Sequence, residues 1–315
     1  MTTTTTSLSA GGLSYEADDG WAKVPAGYEF PECAGVAVDA SDNVYVFTRS
    51  DHPVLVFDKQ GNFLRSMGEG TFTSRAHGIH ISPDEHIYLI DDSQHAVHKF
   101  NMKGELVWTL GNAGNPAPKW SGTPFNRPTH VCVSPRSGDI FVTDGYGNAR
   151  VHRYSPDGRL LTSWGRPGCE PGEFQNPHNV IVDEDEYVYI ADRENNRVQV
   201  FDGNGSVQAI WHDIYRPDGF CRDKEGRFYV GELAGQVDAP TAGHRLTILS
   251  KHGTKLARLG EPEPGDRPGQ FIAPHGCAVD SHGNIYVAEV SFTIRGRRED
   301  PPRTYQSLRR LKKVG

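Results

Sequence analysis

One short pattern recurs six times and decides what this chain can become: an apolar residue, then tyrosine or phenylalanine, then a second apolar residue. It reads Val44-Tyr45-Val46, Ile87-Tyr88-Leu89, Ile140-Phe141-Val142, Val188-Tyr189-Ile190, Phe228-Tyr229-Val230 and Ile285-Tyr286-Val287, at intervals of about 40 to 57 residues. An apolar segment ending in Asp or Ser and a turn rich in Asp, Asn or Gly precede the pattern. After most copies comes a third segment, as at 97–100, 151–154 and 198–201, then an Asx/Gly turn, as at 58–61, 101–104, 155–158 and 202–205. A fourth short segment ends at Gly111, Gly165 and Gly260. Four short strands separated by turn residues make one antiparallel sheet per repeat. A single such sheet cannot bury both faces, whereas six stacked around an axis can, with only short edges left exposed. The expected fold class is therefore all-β, a six-bladed β-propeller over residues 13–315 preceded by a disordered lead-in at 1–12.

The sixth repeat runs out of chain. Its third strand is expected at 307–311 and nothing remains for a fourth, so segment 13–17 is expected to pair into the last blade and close the ring with an N-terminal strand. The basic residues Arg309, Arg310, Lys312 and Lys313 are expected along a solvated strand edge. Three stretches rich in Gly, Pro or charge, 112–127, 234–244 and 292–304, exceed the usual connection length and are expected to shape a mouth or lid.

Composition narrows the class of partner. A net charge of −7 over 315 residues argues against an extended nucleic-acid-binding surface, and no apolar run is long enough to span a membrane. The first residues, mostly threonine, lack the basic and apolar regions of a secretory signal. Cys33, Cys132, Cys169, Cys221 and Cys277 form no metal-binding spacing, so reduced thiols in a cytoplasmic protein are expected, with a small molecule as partner.

Aligning the repeats by their first strand gives one residue per blade: Ala34, His77, Thr129, His178, Asp218 and His275. The innermost strand of a propeller blade lines the central channel, so these six should form a ring. Histidine occupies alternate blades, which lie about 120° apart in a six-fold ring. Three neutral imidazoles with an open fourth position are the ligand set of a catalytic zinc site, and imidazole also suits Cu, Fe and Ni. The bland reading is three satisfied core histidines, yet no packing rule favours imidazole over valine there. A second column, Thr48, Asp91, Asp144, Asp192, Glu232 and Glu289, follows the aromatic strands. Its acids are expected to bond backbone N–H groups in the blade turns and not a metal. Arg49, behind this column in the first blade, has the fork geometry to clamp a carboxylate, and Tyr146 in the third could serve as an acid or base beside a dication.

These segments resemble NHL repeats and, from about Cys33 to Val290, the peptidyl-α-hydroxyglycine α-amidating lyases, the lyase domain of peptidylglycine α-amidating monooxygenase. The stretches that carry the resemblance are 34–39 with Arg49 behind it, 76–79, 128–131 with 142–146, 172–178, 191–195 and 274–275. The resemblance implies zinc on His77, His178 and His275, a substrate-side arginine at Arg49 and a catalytic tyrosine at Tyr146. It also marks departures. A structural calcium of that family would use the carbonyls of Val36 and Ile79 and an aspartate where this chain has Gly276, so the calcium ligand set is incomplete. A methionine is replaced by Ala273, an acid by His130, and a disulfide pair by Asn126 and Gly147. His130 stands where it could add a second acid or base or narrow the pocket.

The function expected from this is metal-dependent cleavage of the C–N bond of an α-hydroxyglycine-like carbinolamide, giving an amide or amine and a carbonyl product such as glyoxylate. Zinc would bind the carbinol hydroxyl, Tyr146 would take its proton and Arg49 would hold a carboxylate. Two alternatives stay open: hydrolysis of a small ester, lactone or amide, with no need for Tyr146, and an NHL propeller that only binds partners.

Overall fold

A computed structural model describes residues 6–261 and 263–314. The fold class is all-β, a six-bladed β-propeller: six sheets, five of four strands in chain order and one of five in which two N-terminal strands join the last three of the chain. The residues group into two compact units, one of 1–69 with 218–315 and one of 70–217, and each unit holds three of the sheets.

The aromatic strands are the second strand of each sheet, Val44–Thr48, His86–Asp91, Ile140–Asp144, Val188–Asp192, Phe228–Glu232 and Ile285–Glu289, and they are buried almost end to end. A strand with neighbours on both sides and sheets against both faces has no solvent side, which is why its pattern is nearly continuous in apolar residues. Four of the tyrosines find a polar partner in the Asp that follows the first strand. Tyr189 donates to Asp183 at 2.8 Å, Tyr229 to Asp223 at 3.0 Å, Tyr286 to Asp280 at 3.1 Å and Tyr45 to Asp39 at 3.3 Å. The same carboxylate closes the turn: Asp39 Oδ1 accepts from the backbone N–H groups of Ser41 (2.9 Å) and Asn43 (2.8 Å). In the second and third sheets, whose aromatic residues are Tyr88 and Phe141, Ser82 and Ser134 stand in place of the Asp.

Within each unit the core lies between neighbouring sheets. In 70–217, Tyr88, Val97, Phe125 and Val142 form one cluster, and Phe141, Val151, Phe174 and Phe201 another. In the other unit the clusters centre on Tyr229, Ile248, Phe271 and Val287 and on Trp21, Val46, Phe57 and Tyr286. Each fully buried side chain of this size stabilises the fold by about 1.5–3 kcal/mol.

The last sheet closes as expected. Leu13–Ala17 pairs antiparallel with Leu308–Lys313, Tyr15 opposite Lys313 and Ala17 opposite Leu311, and Tyr15 is thereby 1% exposed. Two expectations change. Ser7–Ala10, assigned to the disordered lead-in, is a strand paired with Leu13–Ala17 around Gly11-Gly12, whose φ values of 59° and 77° suit a tight hairpin; residues 1–5 of that lead-in lie outside the described residues. Arg309 is not on a solvated edge, because the closing strand covers its own: it is 1% exposed and bonded to Glu289 at 2.9 Å and Asp19 at 2.7 Å. Among the described residues no helix is long and apolar enough to cross a membrane.

Candidate functional site

The histidine column owes its aim to a backbone irregularity. In four of the sheets the pairing of first and second strand slips at this column: between Cys33 and Gly35, Ala76 and Ile79, Pro177 and Asn179, and Pro274 and Gly276. The skipped residues include Ala34, His77, His178 and His275. A bulge leaves its extra residue out of the ladder and turns its side chain away from the regular alternation. No periodicity in the sequence announces it.

Unit 70–217 holds His77, His178 and Tyr146. The two imidazole centroids are 4.8 Å apart, and both residues are 2% exposed. Between them sits the Tyr146 hydroxyl, 2.9 Å from His77 Nε2 and 3.1 Å from His178 Nε2. His77 Nδ1 donates to the Thr129 carbonyl at 2.7 Å. A carbonyl can only accept, so this bond places the proton on Nδ1 and leaves Nε2 as the coordinating nitrogen of a neutral ring.

Tyr146 rides on a four-residue helix, Gly145–Asn148, that follows the second strand of the third sheet. The glycines on either side of it are needed for close approach: a Cβ at Gly145 would lie 2.3 Å from the Pro177 carbonyl oxygen, and one at Gly147 only 2.0 Å from Asn126 Oδ1. Asn126 and Gly147, the positions of the family's disulfide, thus face one another and pack without a bridge. The long loop 112–127 is fastened to this helix, with Trp120 N–H donating to Gly147 O at 2.8 Å and Asn148 Nδ2 to Thr123 O at 2.7 Å. Two guanidinium groups flank the phenol: Arg127 lies 4.7 Å and Arg193 5.5 Å from its ring centroid, and Arg193 Nη1 is 3.4 Å from the hydroxyl. Neither guanidinium stands out in the sequence as a site residue. For Arg193 a signal existed, since it follows Asp192 as Arg49 follows Thr48, one residue past the acid column.

The other unit holds His275, Asp218 and Arg49. His275 Nδ1 donates to the Ala34 carbonyl at 2.6 Å, the same device that orients His77. Its Nε2 faces Asp218 Oδ1 at 3.9 Å. Arg49 is already engaged: Nη1 bonds Glu32 Oε2 at 2.6 Å and Thr293 Oγ1 at 3.0 Å, and Glu32 accepts from the Thr293 backbone N–H at 2.6 Å. Glu32 and Thr293, which the sequence did not single out, therefore fix where this guanidinium points.

His130 lies beside His178 and His80. Its Cδ2 would be 3.1 Å from a Cβ on Gly78, and its ring sits beside the carbonyls of Ile79 and Val180. Burial, with the neighbouring His80 and His178, pushes its pKa down to about 3, so the imidazole is neutral and a very weak base. The calcium positions do not fit a calcium ion either. Gly276 brings no carboxylate, a Cβ there would lie 2.9 Å from Gly35 Cα, and the Ile79 carbonyl lies against the His130 ring.

The acid column serves architecture, though not only in its own turns. Asp91, Asp144, Asp192 and Glu289 each accept backbone N–H bonds from the segment leading into the first strand of their own sheet, at Thr73 (2.6 Å), Asn126 (3.0 Å), Gln175 (2.9 Å) and Ile272 (2.6 Å). Glu232 binds Thr247 and Arg245 instead.

Residues 123–263 match the family DUF5128, described as 6-bladed beta-propeller. The solved streptogramin B lyase structure superposes with a TM-score of 0.61 at 13% identity, covering 91% of this chain and 96% of that one, a likeness of fold alone. Peptidyl-glycine alpha-amidating monooxygenase of Mus musculus is 28% identical over 310 residues, 84% of this chain but 30% of that protein, so the chain spans less than a third of this relative's length. Peptidyl-alpha-hydroxyglycine alpha-amidating lyase 1 of Drosophila melanogaster is 35% identical over 203 residues, 58% of this chain and 36% of that protein. NHL repeat-containing protein 3 of Homo sapiens is 33% identical over 302 residues, 88% of this chain and 82% of that protein. With that identity held across most of both lengths, the chain belongs to the family of NHL repeat-containing proteins.

Proposed function

We propose that the chain is a metal-dependent carbon–nitrogen lyase acting on an α-hydroxyglycine-like carbinolamide. The observation that carries this reading is the Tyr146 hydroxyl shared between the Nε2 atoms of His77 and His178. A phenol held between two buried imidazoles is a costly arrangement for a scaffold and a useful one for proton transfer. Homology to a protein named as an amidating lyase supports the same class of chemistry.

His77, His178 and His275, each buried within its unit, would hold the metal as the resemblance to the amidating lyases implies, since imidazole suits zinc and other transition ions. The ion supplies Lewis acidity toward the carbinol oxygen when bound. Tyr146 Oη, as the phenolate, would take the proton of the carbinol hydroxyl. The carbonyl double bond would form as the C–N bond breaks, the bonding pair going to nitrogen, and the proton held by Tyr146 would pass to that nitrogen, so that an amide and glyoxylate leave and the phenolate is restored. Arg193 and Arg127 place positive charge against the phenol, which balances the phenolate formed when the proton is elsewhere. Arg49, held by Glu32 and Thr293, is the candidate for orienting the substrate carboxylate. His130, with so weak a base, shapes the space instead of moving protons.

The test is metal analysis of the purified protein followed by glyoxylate release from a small N-acyl-α-hydroxyglycine. Tyr146→Phe is expected to keep the metal and lose 10²–10⁴-fold in kcat, roughly the contribution of a positioned acid or base. A Tyr146→Phe protein at full rate would instead favour metal-assisted hydrolysis, and a His178→Ala protein that keeps both metal and activity overturns the reading. A second reading, a propeller that binds partners without catalysis, stands beside this one, since the chain is about as similar to NHL repeat-containing protein 3, whose name gives no activity, as to the protein named a lyase. Purified protein without metal and without turnover would decide for it.

A further inference from the structure

The residue after the acid column carries charge in three sheets: Arg49 in the first, Asp92 in the second and Arg193 in the fourth. Asp92 is the exception in sign, and it is 0% exposed. It gathers two guanidinium groups, both within unit 70–217. Arg75 Nη2 lies 2.5 Å from its Oδ2 and Arg75 Nε 3.3 Å from its Oδ1, while Arg127 Nε and Nη2 lie 3.3 and 3.2 Å from the same Oδ1.

One cation offsets one buried carboxylate, so a scaffold accounts for one of these arginines and leaves a surplus positive charge. That surplus stands beside Tyr146. Arg127 lies over the phenol ring, and its carbonyl accepts from the Tyr146 N–H at 3.4 Å. Its φ of 59° is a left-handed conformation unfavourable for arginine, kept in place by the bond from its N–H to His95 Nδ1 at 3.0 Å. Arg75 is two residues before His77 and close enough to the phenol to interact with it electrostatically.

The orientation of the two forks suits a ligand. A guanidinium is rigid and planar, so one bonded through Nε and Nη2 turns its Nη1 end away from the partner. Asp92 takes the Nε edge of both, and both side chains keep solvent access, 35% for Arg75 and 41% for Arg127. Two outward ends on one buried anchor can receive a carboxylate through paired, charge-assisted N–H bonds. Positive surplus at this one place contrasts with a net charge of −7 for the whole chain, and it draws anions here.

We propose that Arg75 and Arg127, fixed by Asp92, form a subsite for a second carboxylate, carried on the acyl group of the substrate. This rests on the lyase reading above and names its substrate class: an N-acyl-α-hydroxyglycine whose acyl chain ends in a carboxylate, as a succinyl group does.

Two measurements on the full-length protein test it. One is glyoxylate release from N-succinyl- and N-butanoyl-α-hydroxyglycine; the other is calorimetric binding of the unreactive N-succinylglycine and N-butanoylglycine. The parent is expected to favour the succinyl compound of each pair by about 10- to 100-fold, in kcat/KM and in affinity, and the preference should shrink as salt is raised. Arg75→Gln should bring both ratios to about one. Each ratio is taken within one protein, so a general loss of activity or stability cancels. No preference in the parent, or a preference that survives Arg75→Gln, overturns the proposal. If that variant does not fold, Arg75→Lys keeps a cation beside Asp92 without the fork, and an unaltered preference then overturns it. Glyoxylate released equally from both substrates removes the subsite and leaves the lyase reading intact. Arg75-dependent binding of N-succinylglycine without any glyoxylate release removes the lyase reading and leaves the subsite.

Discussion

Two columns of polar residues run through the repeats, both buried, and they are used in opposite ways. In the acid column each carboxylate is occupied by its own sheet: Glu289 takes the N–H groups of Ile272 and Ala273 at 2.6 and 2.8 Å and the Arg309 guanidinium at 2.9 Å. In the histidine column His77 and His275 each tie one nitrogen to a backbone carbonyl and turn the other toward a neighbouring functional group, His77 toward Tyr146 and His275 toward Asp218. A repeated buried polar group that is saturated by backbone marks architecture. One that is half anchored and half directed at other side chains marks a site.

Glu289→Ala should give the largest effect that tests this contrast. It leaves Arg309 buried without its closest carboxylate and two backbone donors without an acceptor, so a loss of about 3–5 kcal/mol is expected in urea unfolding. A loss below about 1 kcal/mol would remove the acid column's structural role. The pH dependence comes next. Burial lowers the pKa of His130 to about 3 and of His80 to about 4, against an ordinary 6.5. Both are neutral in the fold, so as pH falls below 6.5 the unfolded chain gains protons that the folded one does not. Stability present above that value is therefore lost between pH 6.5 and about 4, by on the order of 1 kcal/mol per pH unit for each histidine. Replacing His130 by Asn should flatten this limb of a melting-point profile; an unchanged limb would assign it to other groups. The smallest effect is expected for His77→Ala, within about 1–2 kcal/mol in the metal-free protein but with metal uptake lost. If instead the unfolding midpoint collapses while metal uptake persists, the two columns are not different in kind.

Much of the fold was legible because a blade is written locally. Asp at the end of the first strand, a turn, and apolar-Tyr-apolar is a sentence that a few adjacent residues complete, with the phenol returning to the Asp as Tyr189 does to Asp183. Closure by segment 13–17 could be read as well, since a sheet short of one strand needs a partner. The histidines and Tyr146 stood out by their place in the repeat, and in 70–217 the structure brings His77, His178 and Tyr146 together.

What the sequence by itself determined, then, was the repeat, the strand order and which column to suspect. Tertiary structure alone decided that bulges turn the histidines out of the ladder, that Arg49 is held by Glu32, that Arg309 is buried, and that Asp218 stands 3.9 Å from His275. The physical reason is range. Strand periodicity is fixed by neighbours two residues apart, whereas the partner of a buried polar atom, such as the Ala34 carbonyl that orients His275 from 241 residues away, exists only once the sheets have packed.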